Sequence, residues 1–308
     1  MSRLTGAESG VFIIAATPFT ETGALDLGSV DRMVDWYLAR GVTGMTILGM
    51  MGEAPKLTAE ESLALTRRVL ARIAGRVPVC VGVSSPGFAG MAALTEAVTG
   101  EGAAGVMVAP PGTLKGDDGI LAYCQEVSRQ LGDVPWVLQD FPLSGSPFMS
   151  VGLIRRIADT CPTCVTLKHE DWPGLDKITA LRAQEAKGAR RLGILVGNGG
   201  IFLPLELERG VDGAMTGFAY PEMLVAVCKL MAEGRRDAAM DLFDAYLPLV
   251  RYEQQPGIGL AVRKYVLMKR GAIASATLRA PGPKLTVETV AEVSWLMQRL
   301  ERRLTSLA

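Results

Sequence analysis

The chain has 308 residues, 49% hydrophobic and 21% charged, with 32 basic side chains balanced by 32 acidic ones. That is enough for one α/β barrel or two smaller domains. A net charge of zero excludes the electrostatic footprint of a nucleic-acid binder, and no apolar run reaches membrane-spanning length, so neither nucleic acid nor a membrane is an expected partner.

Short apolar runs alternate with amphipathic stretches along the chain. Val11–Ala15 predicts a first strand, and Ser29–Ala39 a helix with Met33, Trp36 and Tyr37 on one face. Gly44–Leu48 follows as a strand and Ala59–Ile73 as a helix, with Thr58 and Glu61 spaced for a capping box. Val77–Val83 and a helix from Met91 to Gly100 form the third unit, Gly105–Ala109 and Asp117–Leu131 the fourth. Trp136-Val137-Leu138 begins a fifth strand, followed by a helix over Val151–Asp159. Val165–Lys168 is the sixth, with Leu175–Ala186 behind it. Leu192–Val196 and a short helix from Ile201 to Arg209 make the seventh, and Gly213–Thr216 is the eighth strand.

The strands are nearly continuous apolar runs, as expected when both faces are covered. Eight such units over residues 1–220 are the signature of a (β/α)8 TIM barrel. Residues 221–308 read as helices only and predict a C-terminal helical extension packed on the barrel. An open doubly wound sheet is the alternative, but no GxGxxG follows the first strand. Cys161 and Cys164 form a CxxC after a helix rather than opening one, which favours packing over redox chemistry. Five scattered cysteines and the lack of an apolar leader at Met1–Thr5 suit a reducing cytoplasm.

In a barrel the chemistry sits at the C-terminal ends of the strands. That rule selects Thr17-Pro18, Gly49-Met50-Met51-Gly52-Glu53, Pro110-Pro111, Gln139-Asp140-Phe141-Pro142, Lys168-His169-Glu170, Gly197-Asn198-Gly199-Gly200 and Thr216-Gly217. Lys168 stands out. A lysine closing a buried strand is costly unless it is neutralised or used, and a buried amine can attack a carbonyl carbon.

These pieces, in this order, resemble the dihydrodipicolinate synthase / N-acetylneuraminate lyase family of class I aldolases, from Val11 to about Leu300. They are Ala16-Thr17-Pro18-Phe19, Gly49-x-x-Gly52-Glu53, Pro142, Lys168, Gly197-Asn198 and Gly213-Ala214-x-x-Gly217. The resemblance implies a lysine, here Lys168, that forms a Schiff base with a 2-oxo acid. The iminium then acts as an electron sink, so that C–C bonds form or break or a β-hydroxyl leaves. It also implies a homo-oligomer, dimer or tetramer, and no cofactor or metal, since the lysine itself supplies the sink.

The departures are as informative. Met50 and Met51 stand where the family places two hydroxyl residues, and Gln139 stands where it places an acid–base tyrosine. Gln139 cannot titrate. The loop Pro110-Pro111-Gly112-Thr113 has no aromatic, and Leu143-Ser144-Gly145 has no arginine for a second carboxylate. Dihydrodipicolinate synthase activity is therefore not expected.

The expected function is a Schiff-base lyase, aldolase or dehydratase, acting on a small 2-oxo acid such as pyruvate or a 2-keto-3-deoxy sugar acid. Lys168, Gln139 and Glu170 are the expected catalytic residues. Gly49, Met50, Met51 and Gly52 would cradle the carboxylate through main-chain N–H groups, with Thr17, Gly197, Asn198 and Thr216 completing the binding site. His169, the only histidine, should face the helices by strand alternation, as should Asp140. Glu170 returns to phase with Lys168 and serves either the site or a salt bridge. Glu53 is expected to tie loop amides together, and Tyr220 is a weaker acid–base candidate. Loss of the relay hydroxyls motivates a competing reading, a keto-acid or sugar-acid binding protein without turnover. A phosphate held on Gly199 and Gly200 would mark a third.

Overall fold

The computed structural model describes residues 2–307. Eight parallel strands close into a barrel in chain order: β1 (Gly10–Ile14), β2 (Gly44–Ile47), β3 (Val79–Gly82), β4 (Gly105–Val108), β5 (Trp136–Asp140), β6 (Cys164–His169), β7 (Gly193–Val196) and β8 (Gly213–Thr216), with β8 pairing back onto β1. The helices between them are α1 (Leu27–Leu38), α2 (Ala59–Ile73), α3 (Phe88–Gly100), α4 (Asp117–Leu131), α5 (Val151–Thr160), α6 (Leu175–Glu185) and α7 (Leu203–Glu208). No helix among the described residues is long and apolar enough to cross a membrane.

Local chemistry sets the helix starts. Thr58 accepts from the Glu61 N–H while Glu61 returns the bond to Thr58, the expected capping box. Asp26 caps α1 and Ser150 caps α5 in the same manner. α7 begins later than predicted because Asn198–Gly200 forms a 3-10 turn of its own and Pro204 fits the first turn of the helix that follows.

Strand alternation divides the core. Val11, Ile13, Val81, Val106, Leu138, Leu167, Ile194 and Ala214 face the helix ring. Phe12, Ile14, Cys80, Met107, Val137, Leu195 and Met215 fill the barrel. Burying each large side chain among these contributes roughly 1.5–3 kcal/mol, so the interior is a solid floor and reagents reach only its upper rim.

Two strands run further than the sequence suggests. β5 continues through Gln139 and Asp140, and β6 through His169, so Lys168 lies inside its strand rather than closing it. Gln139 and Lys168 are register partners, as are Asp140 and His169. The first pair points into the barrel and the second pair points out.

After β8, α8 (Pro221–Ala232) packs on β1 and takes the eighth place in the helix ring. The predicted boundary at residue 220 puts it with the extension. The extension proper is α9 (Arg236–Glu253), α10 (Gly259–Lys269) and α11 (Val287–Leu307). It grips the upper rim through buried charges. Glu253 accepts from the Ala219 N–H and pairs with Arg263. Lys264 meets Glu53 at 2.5 Å, and the Arg279 guanidinium binds Glu61, Lys56 O and Gly23 O.

Candidate active site

Lys168 points up from the apolar floor and is 5% exposed. Its Nζ lies 3.1 Å from Glu170 Oε2 and has no other partner among the described residues. The same Glu170 oxygen accepts from Gln139 Nε2 at 2.7 Å. Side chains from two neighbouring strands, Gln139 of β5 and Lys168 of β6, thus meet at one oxygen of Glu170, the residue just past β6. Glu170 itself is anchored by main chain: its N–H donates to Asp140 O at 2.9 Å, and its carbonyl accepts from Asn198 Nδ2 at 3.0 Å. Gly197 makes room for it, since a Cβ there would lie 2.2 Å from the Glu170 side chain.

An ammonium can donate three hydrogens. Lys168 has only the Glu170 carboxylate beside it and donates no hydrogen bond to any other group among the described residues. Below it, Cys80 lines the floor. Burial pushes this thiol up to about 12, the charge of Lys168 pulling weakly the other way, so it stays protonated.

The loop after β2 turns tightly over Met50–Gly52. The Gly52 N–H is spent on Gly49 O, and the Gly52 carbonyl accepts from Thr17 Oγ1 at 2.5 Å. Thr17 therefore braces this loop. Among the described residues the Gly49, Met50 and Met51 N–H groups have no acceptor, which leaves these three amides of the expected cradle available to a carboxylate. Met51 packs onto the barrel floor, while Met50 is 52% exposed.

The remaining expected residues sort into contact and support. Thr216 points outward and accepts the Gly199 N–H at 2.8 Å, so it holds the β7 loop. Gly197 N–H donates to His169 O and Gly200 N–H to Gly197 O. With three of its amides occupied, that loop is no phosphate cradle. His169 and Asp140 face the helices as alternation requires. Glu53 accepts the Arg279 N–H, but its other partners are Lys56 and Lys264, so it fastens the extension to the rim. Tyr220 stacks with Phe218 and Tyr246 beneath Arg270, and burial raises its phenol to about 12. None of the six tyrosines hydrogen-bonds Lys168, Gln139 or Glu170. Cys161 and Cys164 are free and fully buried.

Sequence reasoning missed Lys177 and Gln254. Lys177 reaches from α6 to the outer faces of β5 and β6. Gln254, at the end of α9, brings its amide against Gly199, where a Cβ would lie 2.2 Å from Nε2. A cavity of about 620 Å³ lined by Val11, Thr43, Val211, Cys228 and Met231 lies at the N-terminal face of the barrel, opposite Lys168. No group of three or more His, Cys, Asp or Glu side chains is placed to hold a metal ion among the described residues.

Comparison with known proteins bears on the whole chain. A profile described as the Dihydrodipicolinate synthetase family matches residues 7–300. L-2-keto-3-deoxyarabonate dehydratase of Azospirillum brasilense is 32% identical over 304 residues, covering 97% of both chains. A 4-hydroxy-tetrahydrodipicolinate synthase of Sorangium cellulosum is 31% identical over 307 residues, covering 96% of this chain and 97% of the other. Among solved structures, one described as dihydrodipicolinate synthase from Rhodopseudomonas palustris superposes with a TM-score of 0.95 at 51% identity, covering 97% of this chain and all of that one.

Proposed function

This chain belongs to the dihydrodipicolinate synthetase family, as a lyase of the class I aldolase type, and from that premise we propose that it dehydrates or cleaves a 2-keto-3-deoxy sugar acid through an imine on Lys168. The observation that carries the reading is the shared Glu170 oxygen, 3.1 Å from the Lys168 amine and 2.7 Å from the Gln139 amide.

The proton ledger closes on that one carboxylate. Attack on the C2 ketone needs the free amine, and Glu170 is placed to take the ammonium proton. It passes that proton to the alkoxide formed on attack, then takes the surplus proton from the nitrogen and gives it to the carbinolamine hydroxyl, which leaves as water and yields the iminium. Glu170 then removes a C3 proton, giving the enamine, and delivers it to the departing C4 hydroxyl. Water finally hydrolyses the unsaturated imine and frees Lys168. In the retro-aldol alternative Glu170 takes the C4 hydroxyl proton, the C3–C4 bond breaks, and the enamine is protonated at C3. Gln139 orients the carboxylate and keeps its own carbonyl free for a substrate hydroxyl. The Met50 and Met51 N–H groups bind the substrate carboxylate, a charge-assisted pair that fixes C2 over the amine.

The second substrate of a dihydrodipicolinate synthase fits poorly. That reaction would require a titratable relay where Gln139 and two methionines stand. A sugar acid carries its own hydroxyls and asks the site for hydrogen bonds, for which Gln139 and Asn198 stand beside Glu170. The chain is further proposed to work in the cytoplasm as a homo-oligomer, with the exposed Leu143, Phe148 and Trp172 as apolar surface near the rim.

Proton NMR of L-2-keto-3-deoxyarabonate incubated with the protein tests the reading. Dehydration gives a five-carbon 2-oxo product one water lighter, and retro-aldol cleavage gives pyruvate and glycolaldehyde. Unchanged substrate, with saturable binding and no borohydride adduct, would instead support the binding-only reading.

A further inference from the structure

Behind the site, on the outer faces of the same two strands, lies a buried charge cluster that the chemistry above does not use. Asp140 follows Gln139, His169 follows Lys168, and Asp171 follows Glu170. Lys177, 8% exposed on α6, reaches back among them. Its Nζ donates to Asp140 Oδ2 at 2.9 Å and to Met149 O at 2.7 Å, and it forms an ion pair with Asp171 Oδ2 at 2.7 Å. The Phe148 ring covers it at 4.6 Å. His169 is pinned beside it, with Nε2 at 3.1 Å from Gly174 O and Nδ1 at 3.6 Å from Asp140 Oδ2. Residue 174 must be glycine, since a Cβ would lie 2.1 Å from His169 Nε2.

Desolvation offsets most of the attraction in such a buried cluster. What remains is geometry, because an ammonium held by two hydrogen bonds and a close ion pair tolerates little movement of any of its three partners. Two of those partners, Asp140 and Asp171, adjoin Gln139 and Glu170.

We propose that Lys177 is a positioning residue: by holding Asp140 and Asp171 on one ammonium, it sets the spacing of Gln139 and Glu170 and so keeps the Glu170 carboxylate in line with Lys168. This rests on the assignment of Lys168 and Glu170 made above. Lys177 touches no substrate and acts only through its neighbours.

Pyruvate serves as the probe, on the full chain, with two readouts. Borohydride trapping at Lys168 reports the imine. Exchange of the pyruvate methyl protons for deuterium reports the enamine, which needs Glu170 in place. Lys177→Met is expected to leave the trapped yield of folded protein unchanged while exchange falls about 10²-fold, the cost of misplacing a catalytic group by an ångström. Lys177→Arg should restore part of the exchange. Asp171→Asn, which leaves the Asp140 pair intact, should reduce exchange in the same direction and replaces Lys177→Met if that variant does not fold. Exchange that falls only in step with trapping, or not at all, overturns the clamp alone. A wild-type chain with no adduct or no exchange overturns the assignment of the site, and the clamp with it.

Discussion

Lys168 and Lys264 are both buried lysines set against one buried glutamate, yet their surroundings differ in kind. Lys264 is fully buried, 2.5 Å from Glu53, with Thr277 O at 2.9 Å and the Phe19 ring at 4.5 Å. Glu53 is saturated in turn by Lys56 and the Arg279 N–H. Burial holds the Lys264 amine below the usual lysine range, against the opposing pull of Glu53. Lys168 meets Glu170 alone, at 3.1 Å. Burial and an acidic partner are common to both. What separates a fastening lysine from a reactive one is the number of ammonium hydrogens left without an acceptor. Lys177 falls on the fastening side, with two hydrogen bonds and a close ion pair.

That contrast yields graded outcomes. Lys168→Met should abolish turnover of the sugar acid, by about 10⁴-fold or more, the scale of losing a covalent nucleophile. Its circular dichroism spectrum should match wild type, because Glu170 keeps Gln139 as a partner. The same change at Lys264 should reverse the pattern. Lys264→Met takes one of two cations from Glu53 and leaves Thr277 O without its donor, which should cost about 1–3 kcal/mol in urea unfolding, while the protein that remains folded traps pyruvate normally. Loss of trapping there would break the comparison.

Glu170→Gln probes the middle of the scale. It keeps the hydrogen bond to Gln139 but removes the shuttle, so turnover should fall about 10²-fold, within the range of general acid–base catalysis. Borohydride should still trap an adduct. An unchanged rate would move the proton chemistry to the substrate itself.

Glu206 sharpens the comparison from the opposite side, as a half-buried acid with no basic partner among the described residues. Its Oε2 is buried without a partner, and burial pushes the carboxyl up to about 8. The folded chain therefore holds this proton where the unfolded chain, ionising near 4.5, has lost it. Stability from this group is complete below pH 4.5 and declines as pH climbs toward 8. Glu206→Gln should flatten that decline and raise stability at pH 8 by about 1–3 kcal/mol, measured by thermal unfolding across the window.

The barrel was legible because its strands are apolar runs and several helices carry their own caps. α2, α4 and β8 have the predicted ends, and the Thr58–Glu61 capping box is present. The end of β5 was left open and β6 was read one residue short for one physical reason. Both finish on polar residues, and nothing local reveals that Gln139 and Asp140 stay in the strand because Glu170 and Lys177 satisfy them from opposite faces. Strand alternation did place His169 outward. Thr17 and Thr216 were expected at the substrate because of where they sit, but a hydroxyl at a strand end can equally brace a loop, and both are engaged in that way. Lys177 and Lys264 were invisible because their partners lie 37 and 211 residues away. Pairings of that range are written in the topology rather than in any local pattern.

Reductive trapping with peptide mapping addresses the central distinction most directly. Wild-type protein is incubated with pyruvate or L-2-keto-3-deoxyarabonate, reduced with borohydride, digested and weighed peptide by peptide. The account predicts one adduct, on the peptide carrying Lys168, with Lys177 and Lys264 unmodified. An adduct on either of those lysines, or on none, would contradict it.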